Sequence, residues 1–137
     1  MFQSKVWLQG LVRTRKEGTS KMIERDKWEW FGMAGHYVCR HQCQFHLCTV
    51  IGDYMISSVG ARVETQKSRD WVDIGSERKF ETMVFKLNNQ ERCAAEGCLC
   101  EMPIDWDGNQ LETRCCNTPG ECQKHHMELC LKYAQLQ

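Results

Sequence analysis

The chain has 137 residues, 42% of them apolar, and a mean hydropathy of −0.56. That length suits one domain. Eighteen Lys/Arg balance eighteen Asp/Glu, which argues against a dominant phosphate-binding mode, since that needs a strong positive field. No basic stretch leads into an apolar segment after Met1, and no apolar run reaches membrane-span length, so a cytoplasmic protein with no membrane partner is expected. In a reducing compartment the ten Cys are better explained by metal than by disulfides, although their even number keeps a disulfide framework as the alternative.

Residues 1–27 carry seven Lys/Arg against three Asp/Glu and read as a basic N-terminal arm. Residues 28–137 read as a single zinc-stabilised α+β domain, a small antiparallel sheet with a C-terminal helix. At the boundary, Lys27-Trp28-Glu29-Trp30-Phe31-Gly32 packs three aromatics into four positions. In a strand Trp28 and Trp30 would share a face. They would serve either as core packing or as a contact platform for a partner or a base.

The stretch from His36 to Cys48 follows, rich in Cys and His. From Phe45 the pattern alternates: Phe45, Leu47, Thr49 and Ile51 against His46, Cys48 and Val50. Gly52-Asp53 is a hairpin signal of the Gly-first type, and Tyr54–Val59 is the returning strand, ended by Gly60. Residues 61–77 are mixed, with Trp71 and Ile74 as anchors. Lys79–Leu87 is a third strand, with Met83, Phe85 and Leu87 on one face and Phe80, Thr82 and Val84 on the other. Beyond Asn88-Asn89 the chain reads as irregular, with a turn at Asp107-Gly108. Thr118-Pro119-Gly120-Glu121 starts a helix to about Tyr133, with Thr118 as N-cap, Pro119 at the first helical position and Glu121 completing a capping box.

Two clusters carry the chemistry, because thiolate and imidazole at short spacings suit a tetrahedral zinc ion. In the first, His36, Cys39 and Cys43 are compactly spaced, and His46 or Cys48 closes the set as Cys2His2 or Cys3His. In the second, Cys93-x4-Cys98-x-Cys100 offers three thiolates from one loop. His126 or Cys130 would add a fourth ligand and clamp the helix to that loop, with Cys122 competing. Cys122, His126 and Cys130 recur every fourth residue, so they share a helix face. Of the adjacent Cys115 and Cys116, at least one is packing. One or two structural zinc ions are expected.

Catalytic signatures are missing. The sequence contains no H-E-x-x-H, no deaminase pairing of H-x-E with P-C-x-x-C, no G-x-S-x-G and no P-loop. Cys98-x-Cys100 departs from the C-x-x-C redox spacing. A binding protein is expected rather than an enzyme.

Several phrases resemble a group of short Cys/His-rich proteins of bacteriophages and prophages. They are Trp28–Gly32, Gly35-His36, Phe45–Thr49 with Gly52-Asp53-Tyr54, Ser57–Gly60, Arg78–Phe85, Cys93 with Gly97-Cys98-x-Cys100, Pro103-Ile104, and His126-Met127 with Leu129-Cys130. The resemblance spans about residues 28–133. It implies a small accessory protein in the host cell cytosol that binds a host protein, such as a restriction or CRISPR effector that it would inhibit. Cys115, Cys116 and Cys122 fall outside its pattern. The alternative is a zinc-finger-like nucleic-acid binder, with Arg13, Arg15 and Lys16 on phosphate and Trp28 or Trp30 stacked on bases.

Overall fold

The computed structural model describes residues 22–33, 43–63, 71–72 and 79–137. The order is a short 3-10 turn (Arg25–Lys27), β1 (Glu29–Phe31), β2 (Cys43–Ile51), β3 (Tyr54–Val63), β4 (Trp71–Val72), β5 (Phe80–Lys86), β6 (Glu112–Cys116) and one helix, α1 (Pro119–Ala134). The strands form an antiparallel sheet in the order β1-β2-β3-β5-β6, and β4 pairs with the far end of β3. This is the expected α+β architecture.

The β2–β3 hairpin forms as the alternation dictates. Ile51 pairs with Tyr54 across Gly52-Asp53, and Gly52 takes a φ of 58° that a side chain would resist. Gly60 does not end the returning strand. β3 continues to Val63, and Gly60 lies directly opposite Phe80 of β5. A Cβ on Gly60 would stand 2.2 Å from Phe80 Cδ1, so the missing side chain is the space that the Phe80 ring occupies.

Strand parity sorts the core into two layers. On one face Ile51, Ile56 and Val84 pack with Trp28 and with Leu129, Cys130, Tyr133 and Ala134 of α1. On the other, Cys48, Val50, Met55, Phe85 and Leu87 pack with Met102, and Phe31, Met83, Cys100 and Trp106 lie against them. The helix therefore covers one face of the sheet, and the segment between β5 and β6 covers the other. A smaller cluster of Phe80, Cys116 and Cys122, with Phe45 against it, fills the end near the helix start. The two expected faces of β5 are those observed.

α1 begins as its sequence signals. The Thr118 hydroxyl accepts from the Glu121 backbone N–H at 3.2 Å and donates to the Glu121 carboxylate at 3.1 Å. Pro119 stands in the first turn. Ahead of β1, residues 22–27 run over the helix end: the Ile23 N–H donates to the Ala134 carbonyl at 2.9 Å, and Trp28 Nε1 donates to the Ile23 carbonyl at 3.0 Å. The chain is thus tied to the domain several residues before the expected boundary at Trp28. β6 was not expected from the sequence. Its residues Glu112-Thr113-Arg114-Cys115-Cys116 are mostly polar, and only Cys116 is buried. No described helix is long and apolar enough to cross a membrane.

Candidate metal centre

Cys93, Cys98 and Cys100 sit on the segment that covers the sheet face opposite α1. That segment is fastened at many points. The Asn88 N–H donates to the Asp105 carbonyl, the Asp107 N–H to the Lys86 carbonyl and the Leu111 N–H to the Val84 carbonyl. The Asp105 carboxylate accepts from the side-chain amides of Asn88 and Asn89, each at 2.8 Å. Arg92 reaches back to β1 and pairs with Glu29 at 2.6 Å.

Within this frame the chain doubles back on itself. Arg92 pairs with Pro103, and the Cys93 N–H donates to the Met102 carbonyl at 2.8 Å, which brings Cys93 alongside Cys100. The Cys98 N–H closes a turn on the Ala95 carbonyl at 2.9 Å, with Gly97 at a φ of 79°. Glu101, a non-glycine residue, takes a φ of 55°. Such a conformation costs energy outside glycine, and here it lies directly after Cys100. The three sulfurs consequently lie within 4.8 Å of one another, forming the one Cys/His/acidic group of this kind among the described residues.

The geometry fits a metal. Zinc–thiolate bonds of about 2.3 Å in a tetrahedron put the sulfurs about 3.8 Å apart, so each pair needs to close by about 1 Å at most, within reach of side-chain rotation. The thiolate is the ligating form. The Met102 N–H, and then the Cys98 thiol, pull the Cys100 thiol below its ordinary pKa. Cys98 receives a lowering hydrogen bond from the Cys100 backbone, but the Cys100 and Cys93 thiols and desolvation outweigh it, and its pKa is raised. One thiol of the group is thus readied at the expense of its neighbour, and a cation would lower both.

The expected fourth ligand from α1 is not in this group. His126 is fully buried against the other face of the sheet. Its Nε2 lies 2.8 Å from Thr49 Oγ1 and its Nδ1 2.7 Å from Ser58 Oγ, so neither nitrogen is free for an ion. Ser58 continues to Thr82 Oγ1 at 2.6 Å, and Thr82 to Cys122 Sγ at 3.7 Å. Burial pushes His126 down to about 4, so the ring is neutral, with one nitrogen donating and the other accepting. Cys130 is buried on the same side, and desolvation pushes its thiol up to about 12 although it bonds Thr49. The predicted stripe of Cys122, His126 and Cys130 does share one face, but that face meets the hydroxyls of β2, β3 and β5. Polar contacts of His126 with Thr49 and Ser58 thus stand beside the apolar packing of Leu129, Tyr133 and Ala134 in docking the helix, in place of the expected metal clamp.

The first cluster is described only in part. His36 and Cys39 lie outside the described residues, and Cys43 is placed in β2 by its backbone alone. His46 and Cys48 point to the same face of β2, as the alternation requires. His46 is half-buried, and its Nε2 has no hydrogen-bond partner among the described residues. Cys48 is fully buried among apolar side chains. Desolvation, then the Cys130 charge, raises its thiol to about 12. Cys48 is therefore core packing next to the loop that carries the three-sulfur group. Cys116 is buried with Phe80 and Cys122, while Cys115 is exposed, so one of the adjacent pair packs as expected.

Of the partner-binding candidates, Trp28 is core and Trp30 is 48% exposed. The Trp30 ring lies 6.1 Å from those of both Trp28 and His126, so the two tryptophans share a face. Arg13, Arg15 and Lys16 lie outside the described residues. Two features went unread in the sequence. The hydroxyls of Thr49, Ser58 and Thr82 all fall on helix-facing parity, a signal available once the strands were paired. Leu99, between two ligand candidates, is 93% exposed.

Fold and site together define a small α+β domain with a three-cysteine candidate metal centre on the sheet face away from its helix. Comparison with models of protein families, with curated proteins and with solved structures finds no match to this chain.

Proposed function

We propose that the protein is a zinc-stabilised binding protein of bacteriophage or prophage type, which acts by attaching to a host protein and blocking a defence complex of the restriction or CRISPR class. The observation that carries the metal reading is the convergence of the Cys93, Cys98 and Cys100 sulfurs within 4.8 Å. Three soft thiolates favour zinc over oxygen-seeking cations such as magnesium or calcium. A zinc ion there would add a cross-link to a segment that loop hydrogen bonds, the Arg92–Glu29 pair and the packing of Met102 and Trp106 already hold.

Surface chemistry supports binding over turnover. The histidine and thiols at the helix–sheet contact are sealed from solvent, with His126, Cys122 and Cys130 all at 0% exposure. Beside the three-sulfur loop the exposed side chains include Leu99 and Ile104, at 93% and 54%. Leu99 and Ile104 would add apolar area to a partner contact at this loop.

The test is expression in a host with an active restriction or CRISPR system. Incoming DNA should survive better with the parent chain than with a Cys98→Ser/Cys100→Ser variant, and affinity capture should recover a subunit of that system. Unchanged survival together with capture of no defence subunit would end this reading.

A further inference from the structure

We infer that His46 of β2 is the fourth ligand of the Cys93–Cys98–Cys100 centre, so that one ion binds three thiolates and an imidazole and ties the cysteine loop to the sheet. This rests on the preceding reading that the three thiols hold a divalent ion. It moves His46 from the ligand set of the first cluster, where its spacing placed it, to that of the second.

The loop advances along β2 towards the Cys43 end of that strand. Gln90 Nε2 donates to the Gly52 carbonyl at 3.3 Å, beside the hairpin turn. Arg92 pairs with Glu29 at 2.6 Å, and Glu29 stands opposite Val50. The Cys93 N–H then donates to the Met102 carbonyl at 2.8 Å, and Met102 packs in one cluster with Cys48 and Val50. Two residues of loop thus follow two of β2, and the turn from Cys93 to Cys100 is carried past Val50 to the level of Cys48 and His46. Cys100 lies against the same cluster as Cys48.

His46 presents the donor. It shares a face of β2 with Cys48 and lies about 7 Å from it along the strand. Its Nε2 is buried and has no hydrogen-bond partner among the described residues. Buried polar atoms are normally partnered, so an orphan on the face that the loop covers calls for an explanation, and a bond to the ion supplies one. The 4.8 Å group holds the three sulfurs and not His46, so the ring closes on the ion by rotating about its side-chain bonds. Three Cys and one His form a regular closed set for structural zinc. Neutral imidazole also adds no charge to an ion that already carries three thiolates beside the exposed Glu91, Glu96 and Glu101. With the turn seated in this way, Leu99, 93% exposed between two of the ligands, is held in one place for a partner.

X-ray absorption at the zinc edge of the full chain, loaded under reducing conditions, counts the donors. The parent should show three sulfurs at about 2.3 Å and one imidazole nitrogen at about 2.0 Å. His46→Gln should lose the imidazole and weaken zinc about 100-fold in competition with a chromophoric chelator, the upper end of what loss of a ligand's supporting partner costs. His46→Cys should recover most of that affinity and convert the set to four sulfurs. A purely structural role for His46 would not give that conversion, and the result stands even where the glutamine variant fails to fold.

Four sulfurs in the parent would overturn the inference, because another cysteine of the chain would then be the fourth ligand. An imidazole that persists in His46→Gln would overturn it in favour of another histidine. Three sulfurs with no imidazole in the parent, or only three sulfurs in His46→Cys, would place position 46 out of reach and overturn it too. Failure of the parent to hold zinc would remove the metal centre itself, and is distinguishable from all of these.

Discussion

Replacing His126 by leucine tests the polar core directly. The substitution puts an apolar side chain of similar bulk in place of the imidazole and removes both of its contacts, at 2.8 Å to Thr49 and 2.7 Å to Ser58. Ser58 keeps Thr82 as a partner and Thr49 keeps the Cys130 thiol, so each hydroxyl loses one of its buried contacts. A buried polar group deprived of its partner costs about 1–3 kcal/mol, and the two losses together come to about 3 kcal/mol at pH 7.5. The pH dependence sharpens the test. His126 falls from 6.5 to about 4 on folding because burial disfavours its charged form. The folded chain therefore binds fewer protons than the unfolded one between those values. Stability from the neutral ring is fully present above pH 6.5 and is lost as the pH falls towards 4, by about 2.5 kcal/mol between pH 7.5 and 4.5. The leucine variant lacks this loss. Urea unfolding of both chains, followed by tryptophan fluorescence, should show a gap of about 3 kcal/mol at pH 7.5 that shrinks below about 1 kcal/mol at pH 4.5. Acid release of a metal would act on both chains and cancel in the comparison. A gap under about 1 kcal/mol at pH 7.5, or one that does not change with pH, would refute the hub role.

Three further outcomes follow from the geometry. Gly60→Ala drives a methyl into Phe80 and within 2.6 Å of the Lys79 carbonyl oxygen, and should cost about 2 kcal/mol or more in chemical denaturation; an unchanged midpoint would contradict the strand pairing there. Thr118→Ala removes the N-cap acceptor for the Glu121 N–H and should cost about 1 kcal/mol, read as a lower melting temperature, whereas Thr118→Ser should retain most of it. Alkylation of the native protein at pH 8, with peptide mapping, should spare Cys48, Cys122 and Cys130, which have no exposure; rapid labelling of Cys48 or Cys130, whose thiols are pushed up to about 12, would contradict their burial.

The elements with hydrophobic alternation or explicit cap chemistry were legible in the sequence: the β2–β3 hairpin, β5 and α1. β6 was not, because Glu112, Thr113 and Arg114 mark no apolar face, and the strand is held by pairing with β5 from Phe80 to Val84. Gly60 looked like a stop because its role, room for the Phe80 ring, depends on a partner strand twenty residues away.

At the site, the spacing of Cys93, Cys98 and Cys100 foretold their convergence. The role of His126 was not readable the same way. Periodicity showed that Cys122, His126 and Cys130 share a face, but what that face meets is a property of the sheet's layering. α1 and the cysteine loop lie on opposite sides of the same strands, so the helix stripe meets hydroxyls and the loop holds its own thiols.

Elemental analysis of untagged chain purified under reducing conditions, with site-mapped thiol labelling before and after chelation, tests the central claim most directly. The account predicts about one zinc ion per chain at this centre, Cys93, Cys98 and Cys100 protected from label until the ion is removed, and loss of that ion in Cys98→Ser/Cys100→Ser. Zinc content unaffected by that double substitution, or no metal with all three thiols freely reactive from the start, would contradict it.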